Sequence, residues 1–141
     1  MGTDGPDGAE GDSAQANQRL VGRHYAAFAK GDVDGILHGL DDAVCIEVHD
    51  EHGKAVDDPI RGLKAARSFF EDIAESVTDP TVEIESLRAD GDRVLARVKL
   101  GGTLRDSGVA GAIAAVHLFT IHEGRITVIR THRPHWRTPE P

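Results

Sequence analysis

Glu47, His24 and His117 come from distant parts of the chain and combine groups that move protons with largely apolar surroundings. Glu47 is the one charged residue in the run Val44-Cys45-Ile46-Glu47-Val48, which reads as a strand. Alternate side chains of a strand share a face, so Cys45, Glu47 and His49 point one way and Val44, Ile46 and Val48 the other. A carboxylate held among apolar atoms is disfavoured in its charged form, which raises its pKa toward the range useful for proton transfer. The alternative for the same residue is an arginine partner, or an exit to solvent at a strand edge. His117 lies in the run from Ile113 to Phe119 and by alternation joins Ile113, Ala115, Phe119 and Ile121 on the face assigned to a cavity. His24 falls between Leu20 and Phe28 at i, i+4 spacing, which turns it inward. A buried Glu–His pair can abstract a proton through the carboxylate and stabilise the developing oxyanion with an imidazole N–H. The competing reading of these three residues is a structural polar network that lines a binding pocket.

The elements that position them follow from periodicity and punctuation. A first helix is expected from about Ser13 to the cap residue Gly31, with Leu20, Val21, Tyr25 and Phe28 as its apolar stripe. Asp32 caps a short second helix through about Leu40, with Val33, Ile36, Leu37 and Leu40 buried. The Glu47 strand follows, then a polar loop from His49 to Arg61. A third helix from about Leu63 to Ser76 presents Leu63, Ala66, Phe69, Phe70 and Ile73, and Asp79-Pro80 stops the chain there. Strands are expected over Val82–Arg88, Arg93–Thr103, Ala110–His122 and Arg125–Arg133. Their turns are Asp90-Gly91-Asp92, Asp106-Ser107-Gly108 and Glu123-Gly124. Three helices followed by hairpin-linked strands predict an α+β fold, a curved, mainly antiparallel sheet wrapped around helices and enclosing a conical small-molecule cavity.

Arg130 and His132 alternate with Ile126 and Val128 on the last strand. They are read as pocket residues that anchor a polar or anionic substrate group, with neutralisation of Glu47 as the other role for the arginine. Tyr25, Phe28, His49, Phe70 and Phe119 complete the expected substrate wall. Trp136 is placed where it can close the pocket or support a dimer contact. His49, Asp50 and His52, or His132 with His135, make too thin a ligand set for a metal site. No Walker-type, Rossmann-type or nucleophile-elbow motif is present, so no cofactor is expected.

The 141 residues suit one domain over residues 13–136, flanked by a Gly- and Asp-rich tail (1–12), expected to be disordered, and a short C-terminal tail (137–141). A net charge of -8 argues against nucleic acid or an anionic membrane as partner. A single cysteine, Cys45, fits a reducing cytosol. No apolar run reaches membrane-spanning length and no signal-peptide core precedes the first helix, so a cytoplasmic location is expected.

Five local motifs occur in order: Tyr25-x-x-Phe28-x-x-Gly31-Asp32, Leu40-Asp41-Asp42-Ala43-Val44, the run Ile60 to Phe70, Asp90-Gly91-Asp92-Arg93-Val94, and Phe119 to Ile126. Together, over about residues 17–136, they resemble the nuclear transport factor 2-like superfamily, especially its SnoaL-like polyketide cyclase and ketosteroid isomerase branches. The resemblance implies a cone-shaped, cystatin-like α+β barrel. In ketosteroid isomerases the carboxylate base lies just after the Asp-Asp-Ala turn, a position held here by Glu47. Their oxyanion-hole tyrosine and protonated aspartic acid correspond to His24, with Tyr25 one residue off, and to His117. SnoaL-like cyclases place an acid–base aspartate on the last strand, where Val128 to His132 has no carboxylate. The epoxide-opening members use acidic pairs, of which Glu47 supplies one.

The expected function is a cofactor-independent acid–base enzyme acting on a hydrophobic, polyketide- or steroid-like molecule in bacterial secondary metabolism. Glu47 is its expected base, and His117 and His24 its expected oxyanion donors or acid. The reaction is isomerisation, cyclisation, dehydration or epoxide opening. The alternatives are a non-catalytic binding protein with the same pocket and a dimerisation module whose pocket is filled by its own side chains. Val116 and Leu118 face away from the cavity side, so a homodimer through the sheet is expected.

Overall fold

The structure, a computed structural model, describes residues 6–50 and 52–132, with side chains from Ala14 onward. Helix α1 (Pro6–Lys30) begins before the expected Ser13 and ends as foreseen at Gly31, whose φ of 66° is the left-handed turn that glycine adopts without steric cost. Asp32 caps α2 (Val33–His38), its Oδ1 accepting from the Gly35 amide at 3.0 Å. Leu40 does not close α2 but opens β1 (Leu40–His49). The segment read as loop ends in β2 (Ile60–Arg61), which pairs antiparallel with β1 and leads into α3 (Gly62–Ser76).

Asp79-Pro80 does not end the chain's regular structure. Both residues lie inside β3 (Val77–Asp90), where a register shift between Thr78 and Thr81 accommodates them. Asp79 there takes a φ of 51°, a conformation that aspartate tolerates better than most residues. The strands β4 (Arg93–Leu104), β5 (Ala110–His122) and β6 (Arg125–His132) fall within a residue of their expected bounds. The six strands form one mixed sheet in the order β2-β1-β6-β5-β4-β3, antiparallel except for the parallel β1–β6 pair. Three helices on one face of this sheet complete the α+β architecture. The core between them is built from Val21, Leu40, Val44, Ile46, Val94 and Phe119 among others.

Two strands decide which polar groups see that core. On β1, Val44 and Ile46 are buried, while Cys45, Glu47 and His49 occupy the opposite face. On β6, Ile126 and Ile129 are both buried although three residues apart, which simple alternation forbids. The register shift between Thr120 and Ile121 in the β5–β6 pairing absorbs the odd residue. Thr131 therefore follows Ile129 inward, and Arg130 and His132 turn outward. The expectation that Glu47, His49, Arg130 and His132 enter the pocket is thus corrected. Glu47 and His49 stand on the outer face of β1, and the bulge reverses the phase of β6. Trp136 and His135 lie outside the described residues.

Candidate active site

Between the helices and the inner sheet face lies a cavity of about 670 Å³, within the usual range for small-molecule sites. Phe28, Ile36, Ile46, Phe70 and Ile129 give it aliphatic and aromatic walls. His24, Tyr25, Thr78, His117 and Thr131 are the polar groups set into those walls, while Lys30, Asp79 and Arg105 are exposed residues at its rim. Phe119 is fully buried and does not line the space; it backs the polar rings, which corrects its expected role as a substrate contact.

Helix periodicity brings Tyr25 to the cavity, and strand alternation brings His117. The Tyr25 hydroxyl stands 2.5 Å from His117 Nδ1, and the two rings stack at 5.8 Å with an 18° tilt. His117 has one edge toward the cavity, yet protein surrounds the ring closely enough that desolvation lowers its pKa to about 4. Burial raises the Tyr25 phenol well above its ordinary value, so both groups are neutral at pH 7. A neutral imidazole has one N–H and one bare nitrogen. If the phenol donates to Nδ1, Nε2 carries the hydrogen that can meet a substrate oxygen. If Nδ1–H donates to the phenol, the Tyr25 O–H is the free donor and Nε2 becomes an acceptor. The pair thus supplies a hydrogen-bond donor in either tautomer, without a net charge.

His24 is buried among rings, edge-on to Tyr25 at 5.3 Å, Phe119 at 5.3 Å and Phe70 at 5.9 Å. Desolvation first, and repulsion from a charged His117 second, lower its pKa to about 3. Its Nδ1 is sealed and has no hydrogen-bond partner, the one such side-chain atom among the described residues. A sealed, unpartnered polar atom costs stability, about 1–3 kcal/mol. His24 and His117 therefore share one pocket, as expected, and Glu47 does not join them.

Glu47 is in the opposite electrostatic situation. Its Oε1 accepts from His49 Nε2 at 3.2 Å and from Arg130 Nε at 3.3 Å. The His49 hydrogen bond, followed by the attraction and hydrogen bond of Arg130, outweighs desolvation and holds its pKa below the ordinary value. The expected upward shift is reversed, and the arginine alternative is what the geometry shows. The His132 ring lies 5.6 Å from that of His49, tilted by 42°, on the same outer face. Among the described residues no three His, Cys, Asp or Glu side chains group as metal ligands.

Sequence reasoning missed the Tyr25–His117 contact, although it named both residues. It also missed the rim group of Lys30, Asp79 and Arg105. The signal for the first was Tyr25 on the same apolar stripe as Phe28, which sends its hydroxyl across the cavity. The rim residues lie at the end of a helix, in a bulge and in a turn, where periodicity carries little information.

Residues 21–129 match the family model described as the SnoaL-like domain. Among solved structures, an M. tuberculosis LEH-like epoxide hydrolase superposes with a TM-score of 0.71 at 21% identity, covering 85% of this chain and 84% of that one. SalBIII, an epoxide hydrolase/cyclase-like enzyme in pyran ring formation in polyether salinomycin, gives 0.72 at 26% identity, covering 84% and 91%. A candidate SnoaL-like polyketide cyclase from Jannaschia sp. CCS1 gives 0.75 at 18% identity, covering 85% and 86%. No curated protein sequence matches. At these identities the superpositions speak for the fold. No helix among the described residues is long and apolar enough to cross a membrane.

Proposed function

The chain belongs to the SnoaL-like domain family, and from that premise we propose that it is a cofactor-independent acid–base enzyme acting on a hydrophobic small molecule, with Tyr25 and His117 as its working pair. The observation that carries this is the 2.5 Å Tyr25–His117 contact set into an otherwise apolar cavity. A carbonyl or epoxide oxygen placed there accepts a hydrogen bond from the pair, which strengthens as negative charge develops on that oxygen. His24, neutral and facing the same cavity, serves as the base. Its basicity, like that of His117, is close to a carboxylate's, with the proton acceptor uncharged before the reaction. The C–H bond breaks, the proton moves to the His24 imidazole, and the electron pair moves to the held oxygen. Return of the proton to another carbon completes an isomerisation, and loss of hydroxide with that proton completes a dehydration.

Turnover assays on enones, β-hydroxy ketones and epoxides test this proposal. Tyr25→Phe and His117→Asn are each expected to lower kcat by about 10²-fold or more, the usual worth of a well-placed acid–base or oxyanion group. Glu47→Gln is expected to leave it within about threefold, as for an exposed pair outside the site. Loss of turnover in Glu47→Gln with full activity in Tyr25→Phe would overturn the assignment.

One observation favours the second reading, a binding protein: among the described residues the deep cavity wall carries no carboxylate. That reading predicts that Tyr25→Phe alters affinity alone, with no turnover of any substrate class by the parent protein. In either case the outer sheet face, with Val116 and Leu118 beside the Glu47–Arg130 pair, is proposed to join two copies of the chain in the cytoplasm.

A further inference from the structure

The cavity has two chemically different ends. The inner end carries the neutral Tyr25–His117 pair and His24. The rim is carried by the end of α1, the bulge of β3 and the turn after β4, which contribute the exposed cavity-lining residues Lys30, Asp79 and Arg105. Arg105 is carried there by its backbone, whose amide donates to the Ser76 carbonyl at the end of α3 at 2.9 Å. Among the described residues neither Lys30 nor Arg105 has an ion-pair partner, whereas Arg67 and Arg130 are both engaged by carboxylates. Two cations against one carboxylate leave the rim positive on a chain whose net charge is -8. The walls between rim and inner end are mostly apolar, from Phe69 and Ile73 on α3 to Leu100 on β4 and Ile113 on β5, with Thr78 and Thr131 as their polar members.

We infer that the cavity takes an amphiphile: an apolar body that fills the walls and a carboxylate head held at the rim by Lys30 and Arg105. The inference rests on the cavity being the ligand site proposed above and specifies what that ligand looks like. Element geometry also sets its length. Lys30 is five residues beyond Tyr25 on α1, an axial distance of about 7.5 Å. Ile113, near the rim, is four residues from His117 along β5, about 13 Å. The reacting oxygen and the carboxylate are therefore separated by roughly 8–13 Å of apolar chain or fused rings. A neutral hydrophobe of the same shape fills the walls and leaves the two cations with water only. An amine-headed one meets two like charges for one opposite.

Binding of three simple probes to the full chain tests this at pH 8 and low salt, where a carboxylate is ionised and both cavity histidines are neutral. The probes are decanoate, methyl decanoate and decyltrimethylammonium, followed by calorimetry. Decanoate is expected to bind at least about tenfold more tightly than its methyl ester, as a charge-assisted contact provides, with the ammonium compound weakest. The Lys30→Gln/Arg105→Gln double variant is expected to bring decanoate down to the affinity of the ester. Circular dichroism confirms that this variant, altered at two exposed positions, remains folded. Equal affinity for acid and ester, preference for the ammonium probe, a preference that survives in the variant, or no binding of any probe would each overturn the inference. The readout separates it from the acid–base proposal. Tyr25→Phe is expected to keep the carboxylate preference while losing turnover, so either statement can fail while the other stands.

Discussion

The inner and outer faces of the sheet carry almost the same chemical groups and put them to opposite use. On the outer face, Glu47, His49, Arg130 and His132 form a partly exposed cluster in which each charge meets a partner. On the inner side, His117 of β5 and the facing His24 and Tyr25 of α1 are desolvated with no counter-charge beside them. Burial without a counter-charge keeps ionisable groups neutral and ready to exchange a proton, whereas a partner fixes the charge and removes the group from acid–base work. An ionisable residue in an apolar run is thus a catalytic candidate only once its face and its neighbours are known.

Acidification should break this contrast most strongly. His24 and His117 have folded pKa values of about 3 and about 4, below the ordinary 6.5, so the unfolded chain binds more protons through that interval. Their contribution to stability is complete above pH 6.5 and is lost as pH falls from 6.5 toward 3, by several kcal/mol for the pair. Urea titrations across that range measure it, and the double variant His24→Phe/His117→Phe should flatten the dependence.

The next largest effect is on turnover, where Tyr25→Phe and His117→Asn should each cost about 10²-fold while Glu47→Gln barely registers. A smaller and opposite pair of effects is expected at His24. Phenylalanine there joins the rings of Tyr25, Phe70 and Phe119 and removes the unpartnered Nδ1, so His24→Phe should stabilise the protein by about 1 kcal/mol while abolishing proton abstraction. Thermal unfolding and kcat, measured on the same preparation, check both signs. The smallest effect belongs to the outer face. Glu47 titrates below its ordinary value, so its ion pairs stabilise above that value and fade as pH falls through the lowered one. Such a pair, partly open to water, is worth about 1 kcal/mol or less, and Glu47→Gln should lower stability at pH 7 by no more than that.

Much of this was legible in the chain. Gly31 and Asp32 mark the α1–α2 junction, and the strand bounds follow from Asp90-Gly91-Asp92 and Glu123-Gly124. The inward turn of His24 and His117 followed from period alone, because each sits among residues of one apolar phase. Glu47 was misplaced although its own strand held the answer, since Val44, Ile46 and Val48 are the more aliphatic set and occupy the buried side. A match of position to related isomerases outweighed that local pattern. Arg130 and His132 could not be placed by alternation, since a bulge leaves no periodic trace. The Tyr25–His117 contact spans 92 residues and depends on the helix crossing the sheet opposite one rung of β5, which no local signal encodes.

The register shift at Thr120/Ile121 gives β6 two alternative identities. In its present phase the strand shows the cavity Ile129 and Thr131, and it spends Arg130 and His132 on the outside. Deleting one residue at the hairpin would rotate the strand by one step and exchange the sets. The cavity would then gain a guanidinium and an imidazole, and Glu47 would lose its arginine. In this fold a single insertion or deletion, with no substitution at all, can therefore add cationic groups to the inner cavity wall.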